Sequence, residues 1–213
     1  MILGSSLILG VFLFFLGYVF GSLPNGLWIV KAFYKIDIRD YGSKNIGSTN
    51  VFRTVGAKPA VCVLILDILK GVVPLMIATR ILTGSEPYLH YFVVLTALGA
   101  LLGHNYSLFL HFKGGKGVAT GLGLFAYLQP MGALVGFIVW LIIVIITRYV
   151  SLGSIVGAIC AAAMGFIWHY PLPYSLFGTL AALFVIIKHK DNIHRLLNGT
   201  ENKIKAGNKP SLK

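Results

Sequence analysis

Residues 111–148 read HFKGGKGVATGLGLFAYLQPMGALVGFIVWLIIVIITR, and the number of times this stretch crosses a membrane decides the fold. Its second half, Met131–Thr147, is an unbroken apolar run. The run before it, Val118–Leu128, is short, opened by Gly117 and closed by Gln129 and Pro130. A hydrocarbon core of about 30 Å takes about 20 helical residues, and the short run supplies only ~16 Å. It spans if Gly114–Gly117, or the residues around Gln129 and Pro130, also lie at membrane depth. Elsewhere Ile2–Val30, Ala60–Leu82, Tyr88–Phe112, Ser151–His169 and Leu172–Ile187 are long enough, or nearly so.

Composition makes the membrane reading necessary. Of 213 residues, 57% are apolar and 11% charged, against about 25% charged in an average soluble chain. So few charges cannot coat a soluble surface, but lipid needs no such coat. The formal charge of +12 demands an anionic surface or substrate to face. Parity then settles the short run. With seven helices and the N-terminus outside, the inner loops are 31–59, 113–117, 148–150 and the tail from Lys188. Together they hold sixteen of the eighteen lysines and arginines. Arg80 sits at the outer end of helix two, and Lys70 is buried mid-helix. Merging 118–147 into one span would put Arg148 and the basic tail outside, against the inward bias of Lys and Arg. The expected fold is an all-α integral membrane protein: a seven-transmembrane-helix bundle, N-terminus outside, C-terminus cytoplasmic.

No polar linker divides the chain, so residues 1–198 read as one bundle and 199–213 as a flexible basic tail on an anionic membrane surface. The opening run lacks a basic n-region and is too long for a cleavable signal sequence. Five pairs, Gly17/Gly21, Gly99/Gly103, Gly117/Gly121, Gly132/Gly136 and Gly153/Gly157, suit close helix approach in lipid. Pro24 and Pro74 mark kinks or local unwinding. Cys62 and Cys160, inside apolar runs, read as small core residues.

The polar clusters lie on the inner side. The first inner loop runs Gly42-Ser43-Lys44-Asn45-Ile46-Gly47-Ser48-Thr49-Asn50, with Arg53 following. Two glycines among hydroxyl and amide residues permit a tight turn with many donors, and the arginine can clamp a phosphate bidentately. The second, Lys113-Gly114-Gly115-Lys116-Gly117, opens helix four. It reads as a phosphate cradle at a helix N-terminus or as a flexible basic hinge, and its position at the membrane favours the cradle. No Walker A pattern is present, so no nucleotide is assigned. The third cluster starts the tail, Lys188-His189-Lys190-Asp191-Asn192-Ile193-His194-Arg195. His189 and Asn192 share a face if helix seven continues, where the histidine acts as base or donor, or the segment is a basic anchor. No metal spacing occurs, and neither metal nor cofactor is assigned. Within the membrane, Asp67 and Lys70 at i, i+3 read as a supporting pair. His104, roughly 12 Å deep, admits a structural or a functional role.

GSKNIGSTNVFR (42–53), LDILKG (66–71), GHNYSLFLHFKGGKGVAT (103–120) and KHKDNIHRLLNG (188–199) together resemble the bacterial acyl-phosphate:glycerol-3-phosphate acyltransferases. The match runs in order over most of the chain. The resemblance implies an enzyme of the bacterial inner membrane with its active site facing the cytoplasm. It would move a fatty acyl group from acyl phosphate to the 1-hydroxyl of glycerol 3-phosphate, giving lysophosphatidate and inorganic phosphate for phospholipid biosynthesis. It further implies that Ser43, Arg53, Lys116, His189 and Asn192 carry the chemistry and that Gly114, Gly115 and Gly117 bind glycerol 3-phosphate. Asn45, Thr49 and Asn50, with His104, are further expected contacts. Membrane lipid is the expected surroundings, nucleic acid is not a partner, and the basic face leaves room for a soluble acyl-phosphate synthase. Many members have Gly where Lys44 stands and Glu where Asp191 stands. The His-x4-Asp pattern of the other glycerol-phosphate acyltransferase class is missing.

The chemistry this predicts is charge neutralisation: two phosphate dianions must be brought together, with Arg53, Lys116 and loop amides offsetting the repulsion. The hydroxyl proton goes to His189 or to the leaving phosphate. The rival function, a membrane transporter of a phosphorylated metabolite, fits the buried Asp67, Lys70 and His104. It requires polar groups reaching both faces, whereas the outer half is almost wholly apolar.

Overall fold

The structure, a computed structural model, describes residues 2–82 and 88–204, with side chains from Ser6 onward. Among these residues it is all-helical. The elements are α1 (Ile2–Ser22), α2 (Asn25–Tyr34), α3 (Ser48–Val55), α4 (Ala57–Ile81), α5 (Leu89–Asn105), α6 (Val118–Leu128), α7 (Pro130–Thr147), α8 (Val150–Ile167), α9 (Leu172–Lys188) and α10 (Lys190–Leu197). Five stretches are long and apolar enough to cross a membrane, and the pair α9–α10, bent by 59° at His189, makes a sixth if taken as one span. The short α6 is the 11-residue helix expected from its sequence. The outer faces need lipid: Leu134, Ile138, Leu141, Ile142 and Ile145 of α7 are all exposed.

The opening run is one span in two helices. Proline offers no N–H, and the helix breaks at Leu23-Pro24. The carbonyl of Leu23 at that break accepts from Lys70 Nζ at 2.7 Å. Lys70 Nζ lies 2.9 Å from Asp67 Oδ1, which also accepts from Asn25 Nδ2 at 3.0 Å. Both ionised side chains are almost fully buried. The i, i+3 pair on α4 therefore splints the broken α1–α2 span, and losing one partner would strand the other at a cost of about 3–5 kcal/mol. Pro74, by contrast, sits inside a continuous α4.

Small residues set the helix packing. On α1 and α5 the glycines face each other's backbone: Gly17 and Gly21 meet the carbonyls of Thr96 and Ala100, while Gly99 and Gly103 meet those of Phe14 and Tyr18. A Cβ at any of the four would overlap a carbonyl oxygen, so only glycine allows this parallel contact. Gly132, Gly136 and Gly157 serve the α7–α8 contact similarly. Gly121 is different: nothing lies within 4 Å of its would-be Cβ, and it lines a cleft instead.

The 59° bend between α9 and α10 redirects the chain. Positions 199–204, placed with the tail on sequence grounds, lie against the bundle: Ile204 N donates to Arg148 O at 2.9 Å, and Glu201 is only 8% exposed. Residues 205–213 and the loop 83–87 lie outside the described residues.

Candidate active site

A cleft of about 260 Å³ opens at the end of the bundle where α3, α6, α8 and α10 begin. Its mouth is polar. Ser43, Asn45, Ser48, Thr49 and Arg53 come from the first loop and α3, Lys116 and Gly117 from the second loop, and His189, Asn192 and Glu201 from the end of the chain. The rest of its wall is mostly apolar, with Leu64, Leu122, Phe125, Phe137 and Trp140 alongside the buried Asp67 and His104. Three sequence segments that composition marked separately thus meet at one place.

The first loop is shaped by Asn50, which is 1% exposed. Its Nδ2 donates to the carbonyls of Ile38, Tyr41 and Asn45, and its Oδ1 accepts from Ser43 N at 2.8 Å. Asn50, an expected substrate contact, lines the cleft, and its carboxamide also holds the loop that presents Ser43. Asn45 Oδ1 accepts from Gly47 N at 3.0 Å, which tightens the turn before α3. Lys44 stands in the left-handed region, φ 55°.

Arg53 follows on α3. Its Nη2 donates to Asn202 O at 3.0 Å, while its Nε is buried with no partner among the described residues. Burial pulls the guanidinium below its ordinary pKa, and the nearby Glu201 opposes that. The same holds for Lys116: burial lowers its ammonium pKa, Glu201 raises it, and Arg195 lowers it further. Two partly desolvated cations beside an open cleft are poised for an added anion, which would restore what burial removes.

The glycine loop divides. Gly117 lines the cleft in the left-handed conformation, φ 80°, as the residue before α6. Gly114 and Gly115 instead pack on the end of α5, where a Cβ on the first would strike the His104 carbonyl and one on the second the His104 ring. Gly115 N donates to His104 O at 3.0 Å. The two glycines therefore position Lys116 and do not line the cleft. His104 reaches the cleft wall, and its Nδ1 shares a 2.9 Å hydrogen bond with Thr120 Oγ1.

The bend at His189 carries the third segment over the mouth. His189, 3% exposed, has Nδ1 at 2.7 Å from Val185 O. A carbonyl only accepts, so Nδ1 bears the proton and Nε2 is left with a lone pair. Lys116 Nζ donates to Asn192 Oδ1, and Asn192 Nδ2 donates to Glu201 Oε1 at 2.7 Å. Ser151 Oγ adds a 2.8 Å donation to Glu201 Oε1, and Arg195 Nε a 2.7 Å one to Oε2. Burial works against the Glu201 charge, but the bonds from Asn192, Ser151 and Arg195 outweigh it and hold the carboxyl below its usual range. Sequence reasoning missed Glu201, Ser151 and Arg195. The one available signal was a lone acid, one of only six in the chain, four residues past α10.

Comparison with known proteins shows the family. The family model described as glycerol-3-phosphate acyltransferase matches residues 11–199. The glycerol-3-phosphate acyltransferase of Fusobacterium nucleatum subsp. nucleatum is 46% identical over 191 residues, covering 89% of this chain and 95% of the relative. Glycerol-3-phosphate acyltransferase 2 of Bacillus anthracis is 43% identical over 189 residues, covering 89% and 96%. Among solved structures, PlsY (YgiH), an integral membrane glycerol 3-phosphate acyltransferase, superposes in its glycerol 3-phosphate form with a TM-score of 0.85 at 39% identity, over 92% of this chain and 96% of that one. Its lysophosphatidic acid form gives a TM-score of 0.82 over 92% and 95%.

Proposed function

The chain belongs to the glycerol-3-phosphate acyltransferase family, and we propose that its donor is an acyl phosphate, that the reaction takes place at the polar mouth of the cleft, and that the acyl chain occupies the apolar interior. It is a membrane-integral acyltransferase that acylates glycerol 3-phosphate in phospholipid synthesis. One observation carries the proposed site: Arg53, Lys116, His189 and Asn192 line one cleft whose other end is apolar. An amphiphilic donor and a small dianionic acceptor need that combination.

In the proposed reaction Arg53 and Lys116 hold the two phosphates, with Ser43, Asn45 and Thr49 ordering them from the first loop. Fixing two reactants that repel each other is where such a site gains most of its rate. The 1-hydroxyl of glycerol 3-phosphate attacks the acyl carbonyl. The new ester C–O bond forms, the bond from carbonyl carbon to phosphate oxygen breaks, and inorganic phosphate leaves. His189 Nε2 takes the hydroxyl proton, its tautomer set by Val185 O. The mixed anhydride is already activated, so no covalent acyl-enzyme is needed.

The proposed topology has seven spans: the five long stretches, the bent α9–α10 pair, and α6 as the short seventh. The N-terminus is outside, the C-terminus is inside, and the mouth faces the cytoplasm of a bacterial inner membrane. The concentration of lysine and arginine in the mouth-side loops supports this orientation. A soluble acyl-phosphate synthase delivering the donor would meet that basic side.

The test is phosphate release from palmitoyl phosphate by the purified protein in detergent. Release that requires glycerol 3-phosphate, with matching formation of lysophosphatidate, is the expected result. Release without the acceptor, or acylation only from a thioester donor, overturns the proposal.

A further inference from the structure

The apolar limb of the cleft ends at a floor, and Phe125 brings its largest side chain. The deepest lining residues are Phe125 on α6, Ala133 on α7, Ala161 on α8 and Ala181 on α9. Three of the four helices bring only a methyl group. Phe125, 5% exposed, brings a ring that packs on Phe177 with centroids 6.5 Å apart. Directly behind it is Gln129, fully buried, whose Nε2 donates to Tyr174 O at 2.5 Å and whose Oε1 has no partner among the described residues. A Cβ on Gly178 would touch both the Gln129 amide and the Phe125 ring, so the two side chains are neighbours. Gln129 and Phe177 do not line the cleft. An aromatic plate therefore ends the apolar limb, and a buried carboxamide lies just beyond it.

Helix rise gives the depth. From Ser151 at the mouth to Ala161 is ten residues of α8, about 15 Å, and from His189 down α9 to Ala181 is about 12 Å. That is shorter than a fully extended palmitoyl chain. A methylene pushed past Phe125 would have to displace the ring from Phe177 and lie against the polar Gln129 group, which hydrocarbon cannot satisfy.

We infer that Phe125, backed by Gln129, sets the longest acyl chain that the enzyme accepts efficiently, the terminal methyl of the preferred donor resting on its ring. This rests on the placement of the acyl chain in the cleft interior proposed above. Phe125 is a specificity-determining residue that touches the substrate tail and no reacting atom, so changing it moves the chain-length profile and spares the chemical step.

The experiment measures kcat/KM for lauroyl, myristoyl, palmitoyl and stearoyl phosphate at saturating glycerol 3-phosphate, for wild type, Phe125→Ala and Ala158→Phe. Ala158 lines the limb above the floor and is half-buried. Phe125→Ala is expected to move the optimum to a longer donor, by roughly fourfold in kcat/KM for each methylene newly buried. Ala158→Phe is expected to move it to a shorter donor while lauroyl phosphate is still used. If Phe125→Ala fails to fold, the shortening by Ala158→Phe still decides the matter. Active variants with the wild-type chain-length profile would show that the tail lies elsewhere, in bulk lipid, and would overturn the inference while leaving the donor assignment standing. Failure of the wild type to use any acyl phosphate would instead overturn the proposed donor.

Discussion

Lys116 and Asn192 are 76 positions apart in the chain, yet the ammonium of one donates to the carboxamide oxygen of the other. That bond joins the glycine loop to the segment beyond the last long helix, and Asn192 passes the link on to Glu201. In the proposed site this leaves the lysine charge available to a phosphate, because its protein partner is neutral. A carboxylate in direct contact would compete with the substrate.

Asn192→Asp tests that arrangement with almost no change in shape. The substitution loses the donor to Glu201 Oε1 and sets two carboxylates face to face. We expect kcat/KM for glycerol 3-phosphate to fall by at least tenfold and thermal stability to drop by about 2–5 kcal/mol. Asn192→Asp with wild-type melting and kinetics would show that the bond chain is idle.

Lys116 carries a pH signature. Burial lowers its pKa, so it discharges at a pH below that of a free lysine. In the proposed site the charged form holds the dianion. KM for glycerol 3-phosphate should therefore rise on the alkaline side, beginning below the ordinary lysine pKa of about 10.4. Lys116→Arg keeps its charge through this range, so its alkaline rise should be absent even if its KM is higher throughout.

His189→Ala should lower kcat by 10²- to 10⁴-fold with a smaller change in KM, the range expected for loss of a general base. Near-normal kcat in this variant would assign the proton to the leaving phosphate.

Glu201 ties stability to acid pH. Its carboxyl pKa is depressed in the folded protein. Its contribution is therefore fully present above the unfolded carboxylate pKa and is lost as pH falls through the lower folded value. The melting temperature should fall in that acid window. Glu201→Gln should melt lower at neutral pH and lose that part of the acid dependence, measured by thermal unfolding in detergent across pH 3–7.

Lys44 has φ 55°, a conformation that costs an L side chain about 1 kcal/mol or more. Lys44→Gly should raise stability by about that amount and leave kcat unchanged, because the residue's side chain is exposed and does not line the cleft.

Much of this site was legible in the sequence, because in so apolar a chain each polar cluster stands out. Arg53, Lys116, His189 and Asn192 were picked from three separate segments, and all four line the cleft. What could not be read was direction. Asn50 and Ser43 belong to one hydroxyl- and amide-rich loop, and only the fold shows the first turned inward to hold the backbone. Gly114 and Gly117 look alike in sequence, yet one makes room for α5 and the other enters the cleft. Glu201 was hidden by its company: glycine, threonine, asparagine and lysine resemble a solvated tail, and its partner Ser151 is fifty residues upstream. The break at Pro24 was expected, but the use of Asp67 and Lys70 to splint it depends on contacts across two helices.

Glu201 and Asn202 follow every helix the structure describes, and they steady Asn192 and Arg53 at the mouth. During synthesis both leave the ribosome only after α1–α10 have done so. Until they emerge, the bundle can insert and pack, but its cationic mouth lacks its anchoring acid. On the proposed site assignment, a chain interrupted before Glu201 therefore sits in the bilayer with its mouth incomplete.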